Sequence, residues 1–195
     1  MKLPVYLVLD ASGGMMGEPI ATLEAGVENF VNELKQNPIA LETVYISIIT
    51  YGSCAKQIVP LTEISEFKMP SIRPAGTVAL GDALLLLDKK IDSEVIKDRK
   101  RGDRNPLVFI FSFRDPTDNW LKGLAEFRKQ KTDLVVACAG GQEIVAKVFK
   151  QITTDVEQLD TVDSMGIKEC FKQLYRIIIL PDDSWRPGHK VYLGD

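Results

Sequence analysis

The sequence predicts an α/β domain with a central, mostly parallel sheet, one antiparallel edge strand and helices on both faces. Three observations carry that expectation. Short, wholly apolar runs such as Val5–Leu9 and Leu107–Phe111 alternate with segments whose apolar residues recur every three or four positions. The runs do not alternate in polarity, which fits strands buried on both faces of a parallel sheet. The chain has 195 residues, of which 45% are hydrophobic and 26% charged, the usage of an ordinary globular domain with its own core.

Each element follows from a local signal. Val5–Leu9 reads as a strand running into the tight loop Asp10-Ala11-Ser12-Gly13-Gly14. Ile20, Leu23, Val27, Phe30, Val31 and Leu34 make one apolar helix face, with Pro19 in its first turn and Asn37-Pro38 at its end. Val44–Thr50 and Lys56–Leu61 read as two strands joined by a connection short enough for a hairpin, hence antiparallel. Residues 62–77 contain Pro70, Pro74 and Gly76 and read as loop. Leu80, Leu84, Leu87 and Ile91 form a second helical face, and Lys97–Asn105 a polar linker.

Leu107–Phe111 is a fourth strand, and Asp118–Lys131 a helix behind a Pro-Thr-Asp cap signal. Leu134–Ala139 is a fifth strand, followed by Gly140-Gly141 and a helix to about Ile152. Val156–Leu159 reads as an edge strand. A last helix, capped by Asp163 or Ser164, presents Ile167, Phe171, Leu174 and Tyr175. The expected organisation is one domain over residues 1–180 and a polar tail over residues 181–195, with no internal repeat.

Composition excludes several functions. The 24 Lys and Arg against 27 Asp and Glu give a net charge of −3, which argues against nucleic-acid binding as a main role. No apolar run reaches the ~20 residues that span a bilayer, so no membrane partner is expected. One histidine, His189, rules out a multi-histidine metal site. The three cysteines, Cys54, Cys138 and Cys170, are odd in number and unclustered, which predicts buried reduced thiols in a cytoplasmic protein.

In an open α/β sheet, ligands bind outside the carboxyl ends of the strands. Three loops converge there: Asp10–Gly14, Ala75-Gly76-Thr77 and Ser112–Asp118. Val8-Leu9-Asp10-Ala11-Ser12-Gly13-Gly14-Met15 resembles the first loop of a von Willebrand factor A domain, whose pattern is Asp-x-Ser-x-Ser. Gly76-Thr77 before a Leu/Ala-rich helix resembles that fold's second metal loop, and Leu107–Phe111 with the residues after it resembles its fourth strand and third metal loop. Gly17-Glu18-Pro19-Ile20, Leu41-Glu42-Thr43-Val44 and Pro116-Thr117-Asp118-Asn119-Trp120 resemble the bacterial tellurium-resistance-associated members of that family. The resemblance spans roughly residues 3–180 and implies a Rossmann-like fold and a cytoplasmic protein-recognition role in a stress-response system. A phosphatase or kinase of the same gene cluster is the partner it suggests.

The resemblance also implies a divalent metal, Mg²⁺ or Mn²⁺, bridging to a partner's carboxylate. Two serines, one threonine and two aspartates hold it in the family, and such oxygens and waters suit a hard cation. Asp10, Ser12 and Thr77 match three of those positions. The second serine position is Gly14, the second aspartate position is Phe113, and the following glycine is Arg114. The expectation is therefore a degenerate metal site, with Asp115 as a substitute ligand if the strand continues that far. Arg114 is the residue that would stand in for the cation, by pairing with Asp10 or with a partner's carboxylate. Gly14, Met15, Phe113, Arg114, Asp115 and Asp118 are the expected partner-binding residues.

An enzyme of another class uses a similar order of residues. Phosphatases of the haloacid dehalogenase type place an Asp after the first strand, then Ser or Thr, then Lys, then an acidic pair. Asp10, Ser112, Lys131 and Asp182-Asp183 occur in that order. Their acid/base carboxylate, two residues after the first Asp, is Ser12 here, so recognition without catalysis is the expected role.

Overall fold

The computed structural model describes residues 1–140, 143–159 and 164–179. Six strands form one sheet in the order β3-β2-β1-β4-β5-β6. They are β1 (Leu3–Asp10), β2 (Val44–Tyr51), β3 (Ala55–Glu63), β4 (Leu107–Ser112), β5 (Leu134–Gly140) and β6 (Asp155–Leu159). All neighbours are parallel except β2 and β3, whose antiparallel ladder shifts register around Ile48. Among the described residues the α-helices are α1 (Glu18–Gln36), α2 (Pro38–Thr43), α3 (Leu80–Ile91), α4 (Trp120–Phe127), α5 (Glu143–Phe149) and α6 (Ser164–Ile179).

The alternation of side chains along β1 builds two cores. Leu3, Val5, Leu7 and Leu9 pack toward α1 and α6, with Leu23, Phe30 and Phe171 in the same cluster. Tyr6 and Val8 pack the other way, with Leu84 and Leu87 of α3, Phe127 of α4 and Phe149 of α5. The expected α/β sheet with helices on both faces is what the chain forms. Successive strands run from β1 outward to β3 and then return to β4 on the other side. The carboxyl ends of β1 and β4 therefore sit at the switch point where such folds open a crevice.

Three local readings are corrected. Asn37-Pro38 ends α1 and also starts α2, because the Asn37 Oδ1 accepts from the Ile39 and Ala40 amides at 3.0 Å. The Asp118 cap signal does not serve α4, whose cap residue Asn119 makes no side-chain bond. The cysteines are not all reduced and buried: Cys138 of β5 and Cys170 of α6 form a disulfide within the α1/α6 core, and Cys54 is exposed. Sequence separation of 32 residues hid that pairing, since both cysteines sit on ordinary apolar faces. Among the described residues no helix is long and apolar enough to cross a membrane. The expected tail, residues 181–195, lies outside the described residues, as do His189 and Asp182-Asp183.

Candidate functional site at the carboxyl end of the sheet

Asp10 is the last residue of β1 and is fully buried. Its Oδ1 accepts from the Ser12 amide at 2.9 Å, the turn that swings the chain out of the strand. Its Oδ2 accepts from the Phe113 amide at 3.3 Å and faces the Ser112 hydroxyl at 3.5 Å. The Ser112 hydroxyl lies nearer the Arg114 carbonyl, at 3.0 Å. Asp10 thus bridges the ends of β1 and β4. Its donors are all neutral, and it forms no ion pair with a described residue. Beside it, the Ser12 hydroxyl is buried and makes no hydrogen bond, at 1% exposure of the residue. Beneath the same loops, the Tyr51 phenol donates to the Phe111 carbonyl at 2.7 Å, and burial, then the nearby Asp10 carboxylate, holds it protonated well above the usual tyrosine range.

Backbone bonds tie the surrounding loops into one platform. The Gly13 amide donates to the Gly76 carbonyl at 3.0 Å and the Ala75 amide to Ala11 at 2.9 Å. Ala11 is bonded to Tyr51 and Ala79 to Gly52, both at 2.8 Å. Gly52 has no room for a side chain, because a Cβ there would run into the Ala75 carbonyl oxygen. On the other side, Thr117 is joined twice to Val78: its amide donates to the Val78 carbonyl at 2.9 Å and its hydroxyl accepts from the Val78 amide at 3.1 Å. Asp118 then accepts from the amides of Gly81 and Asp82, each at 3.0 Å, so its carboxylate caps α3 from across the site.

The structure sorts the expected site residues into two groups. Asp10, Ser12, Gly14 and Arg114 converge, and Thr77 is exposed nearby, its amide bonded to the Ser53 hydroxyl at 3.2 Å. Arg114 does not pair with Asp10. Its guanidinium lies against Gly14, where a Cβ would overlap Nε and Cζ and come within 2.7 Å of Nη2. Three expected partner-binding residues are otherwise engaged. Met15 is 2% exposed and packs in the α1 core, leaving Met16, 69% exposed, at the surface. Phe113 is 7% exposed and packs on Gly140 of β5. Asp118 spends both oxygens on α3. Asp115 is exposed, and β4 stops at Ser112, so the strand spacing that would swing Asp115 toward the site does not exist. Ser53 was missed; only the three-dimensional adjacency of separate loops marks it.

The phosphatase constellation is not assembled. Lys131 precedes the first residue of β5, at the opposite end of the parallel strands from Asp10.

The oxygen donors at the loops also fail to match a divalent cation. Asp10, Ser12 and Thr77 would be the residues to hold one, and the unbonded Ser12 hydroxyl is the kind of group a cation satisfies. Yet only one carboxylate is present, Gly14 and Phe113 supply no oxygen, and a guanidinium occupies the space a side chain at position 14 would take. Hard cations such as Mg²⁺ demand near-octahedral oxygen and compensation of two charges. Among the described residues no group of three or more His, Cys, Asp or Glu converges as a metal site.

A mostly parallel sheet wound in both directions, with loops gathered over a buried Asp at its switch point, defines a doubly wound α/β domain. The chain belongs to the von Willebrand factor type A domain family, whose profile matches residues 5–172. Similar solved structures include the pilus adhesin SpaC from Lactobacillus rhamnosus GG, with a TM-score of 0.74 over 91% of this chain and 30% of that one, at 13% identity. Proximal thread matrix protein 1 from the mussel byssus gives 0.70 over 91% and 48%, at 14% identity. The PilB minor pilin from Streptococcus sanguinis gives 0.65 over 91% and 61%, at 10% identity. One structure of the mussel protein carries a zinc-occupied metal-ion-dependent adhesion site. The chain therefore spans between about a third and three-fifths of the length of these proteins. No curated protein matches the chain by sequence.

Proposed function

We propose that the chain is a protein-recognition module that engages its partner through the loops at the carboxyl end of the sheet and catalyses no reaction. The observation that carries this reading is the bonded platform itself. Four connections are locked to one another by backbone hydrogen bonds, so Met16, Thr77 and Arg114 are displayed on a rigid base. Rigid display lowers the entropy lost on binding. Membership of a family of interaction and adhesion domains supports the same assignment. The divalent-metal site is weakened or lost, as the single carboxylate and the oxygen-free Gly14 and Phe113 argue.

The stretches Gly17–Ile20, Leu41–Val44 and Pro116–Trp120 support a narrower reading: a cytoplasmic module of a tellurium-resistance-like bacterial stress system, with a phosphatase or kinase as partner. One observation favours a second reading. The Cys138–Cys170 disulfide suits an oxidising compartment, and hence an adhesive domain outside the cytoplasm. Alkylating thiols in denaturant at the moment of cell lysis separates the two, since Cys138 and Cys170 are buried in the folded chain. A single modified cysteine, Cys54, supports the oxidising setting; three support the cytoplasm.

The docking face is tested with a photo-crosslinking side chain placed at Met16, Thr77 or Ile39. Ile39 lies in α2, at the opposite end of the sheet, and is well exposed. Crosslinks to one protein from positions 16 and 77 but not 39 are expected. The same product from position 39 alone would move the interface elsewhere.

A further inference from the structure

We propose that Arg114 is the resident cation of this face, and that its guanidinium, seated on Gly14, receives the side-chain carboxylate of an Asp or Glu on a partner protein without a metal. The inference rests on the recognition role above and names the chemistry of its contact.

Four observations lead to it. The first is the seat. Gly14 is exposed, and the Arg114 side chain lies across it where any Cβ would collide. Glycine at this position is therefore what lets a guanidinium lie flat on the loop. The second is that the Arg114 side chain has no hydrogen bond or ion pair with a described residue. The residue is exposed, and its unspent donors form a planar fork that matches a carboxylate. The third is charge. Asp10 is buried at the base of the same loops and accepts only from neutral donors, and Arg114 is the one Lys or Arg in the stretches 10–14, 75–77 and 112–118 that could offset it. The fourth is the Ser12 hydroxyl, two residues before the seat in the same loop. It is buried and lacks an acceptor, and a carboxylate drawn to Arg114 brings one.

The occupant follows from the same charges. Those loops hold three carboxylates, Asp10, Asp115 and Asp118, against the single guanidinium, so a monoanionic carboxylate is repelled less than a phosphate dianion. Exposed Met16 next to the seat offers an adaptable apolar contact, and Met with Arg is the composition of protein interfaces.

Nitrogen-15 NMR of the full chain, with chelator present, tests the proposal using acetate and inorganic phosphate as probes. Acetate is expected to shift the Arg114 Nε–H and the Gly13–Met16 amides saturably. Arg114→Gln, a change at an exposed side chain, abolishes that response. Gly14→Ala unseats the guanidinium and weakens acetate about tenfold. Phosphate at equal ionic strength binds more weakly. The proposal is overturned if acetate shifts the same amides equally in Arg114→Gln, if phosphate binds Arg114 more tightly than acetate, or if the response needs added Mg²⁺. The crosslinking experiment keeps the two readings apart. Crosslinks from Met16 and Thr77 that persist in Arg114→Gln, with no acetate response in the parent chain, remove Arg114 and leave the docking face standing.

Discussion

The two halves of the carboxyl-end platform are built on opposite principles. Around Thr117, Asp118, Val78 and the start of α3, every polar group named has a partner: two bonds join Thr117 to Val78, and both oxygens of Asp118 cap α3. Around Asp10, Ser12 and Gly14, a buried carboxylate lacks a countercharge, a buried hydroxyl lacks any bond, and a guanidinium lies unpaired on the surface. Both halves use the same few residue types. The difference teaches where the fold is being held and where it is being kept ready, because unsatisfied buried groups lower stability and persist where a ligand completes them.

The closed half is most sharply tested where α3 and α4 cross. A Cβ at Gly123 would strike the Gly81 carbonyl oxygen and lie 2.9 Å from the Gly81 Cα. Both are backbone atoms and cannot rotate away. Gly123→Val is expected to cost about 3 kcal/mol by overpacking, seen as a lower denaturant midpoint. A cost below about 1 kcal/mol would mean that the crossing is loose and the halves are not so different.

Next in size is Asp118. Replacing it by Ala strips two charge-assisted bonds from the first turn of α3 and is expected to cost about 2 kcal/mol, by chemical denaturation. Asp118→Asn keeps one acceptor oxygen and should recover part of that loss. Crosslinking from Met16 should survive in both variants, since Asp118 serves the scaffold. Loss of capture at unchanged stability would return Asp118 to the contact surface.

Legibility followed the range of each interaction. Strands and helices were readable because their signals are local: unbroken apolar runs such as Leu107–Phe111, and three-to-four spacing such as Leu80–Ile91. The candidate loops were readable because the switch-point rule depends only on strand order. What failed was anything fixed by a distant partner. Asp118 looked like the cap of the helix beside it, yet it caps α3, whose Gly81 amide lies 37 residues earlier. Phe113 and Met15 stand in loops at the carboxyl end of the sheet, but sequence does not say which loop residue turns inward. Arg114 was recognised as a cation near the site. That it would lie on Gly14, a hundred residues away, is a complementarity only coordinates display.

A polar network between the sheet and the segment Asp92–Ile96 after α3, away from the platform, gives a control with every group satisfied. The Tyr6 hydroxyl donates to Glu94 at 2.9 Å, and Gln57 donates to both Glu94 and the Ser47 hydroxyl. Burial, then the neighbouring Glu94 carboxylate, raises the Tyr6 phenol far above its ordinary value. The folded state thus keeps a proton that the unfolded chain releases near pH ~10. Below that pH the two states bind it equally and stability is flat. Above it, folding loses about 1.4 kcal/mol per pH unit for each such phenol. Tyr51 adds a second, so Tyr6→Phe should shallow the alkaline slope without removing it. An unchanged slope in urea melts between about pH 9 and 11 would detach Tyr6 from the effect.

The smallest expected effect discriminates best. Removing a hydroxyl that has a partner costs stability, whereas removing a buried one that has none relieves a desolvation penalty. Thr117→Ala, on the closed half, loses the bond from the Val78 amide and should destabilise by about 1 kcal/mol. Ser12→Ala, on the open half, has no bond to lose and should leave stability unchanged or raise it by up to about 1 kcal/mol. If the Ser12 hydroxyl awaits a ligand's carboxylate, the same substitution weakens acetate at Arg114 while the fold holds or tightens. Stability and binding then move in opposite directions at one atom, which scaffold residues cannot imitate. A Ser12→Ala variant that loses stability as Thr117→Ala does would mean that its hydroxyl is bonded in solution, and the contrast between the halves would close.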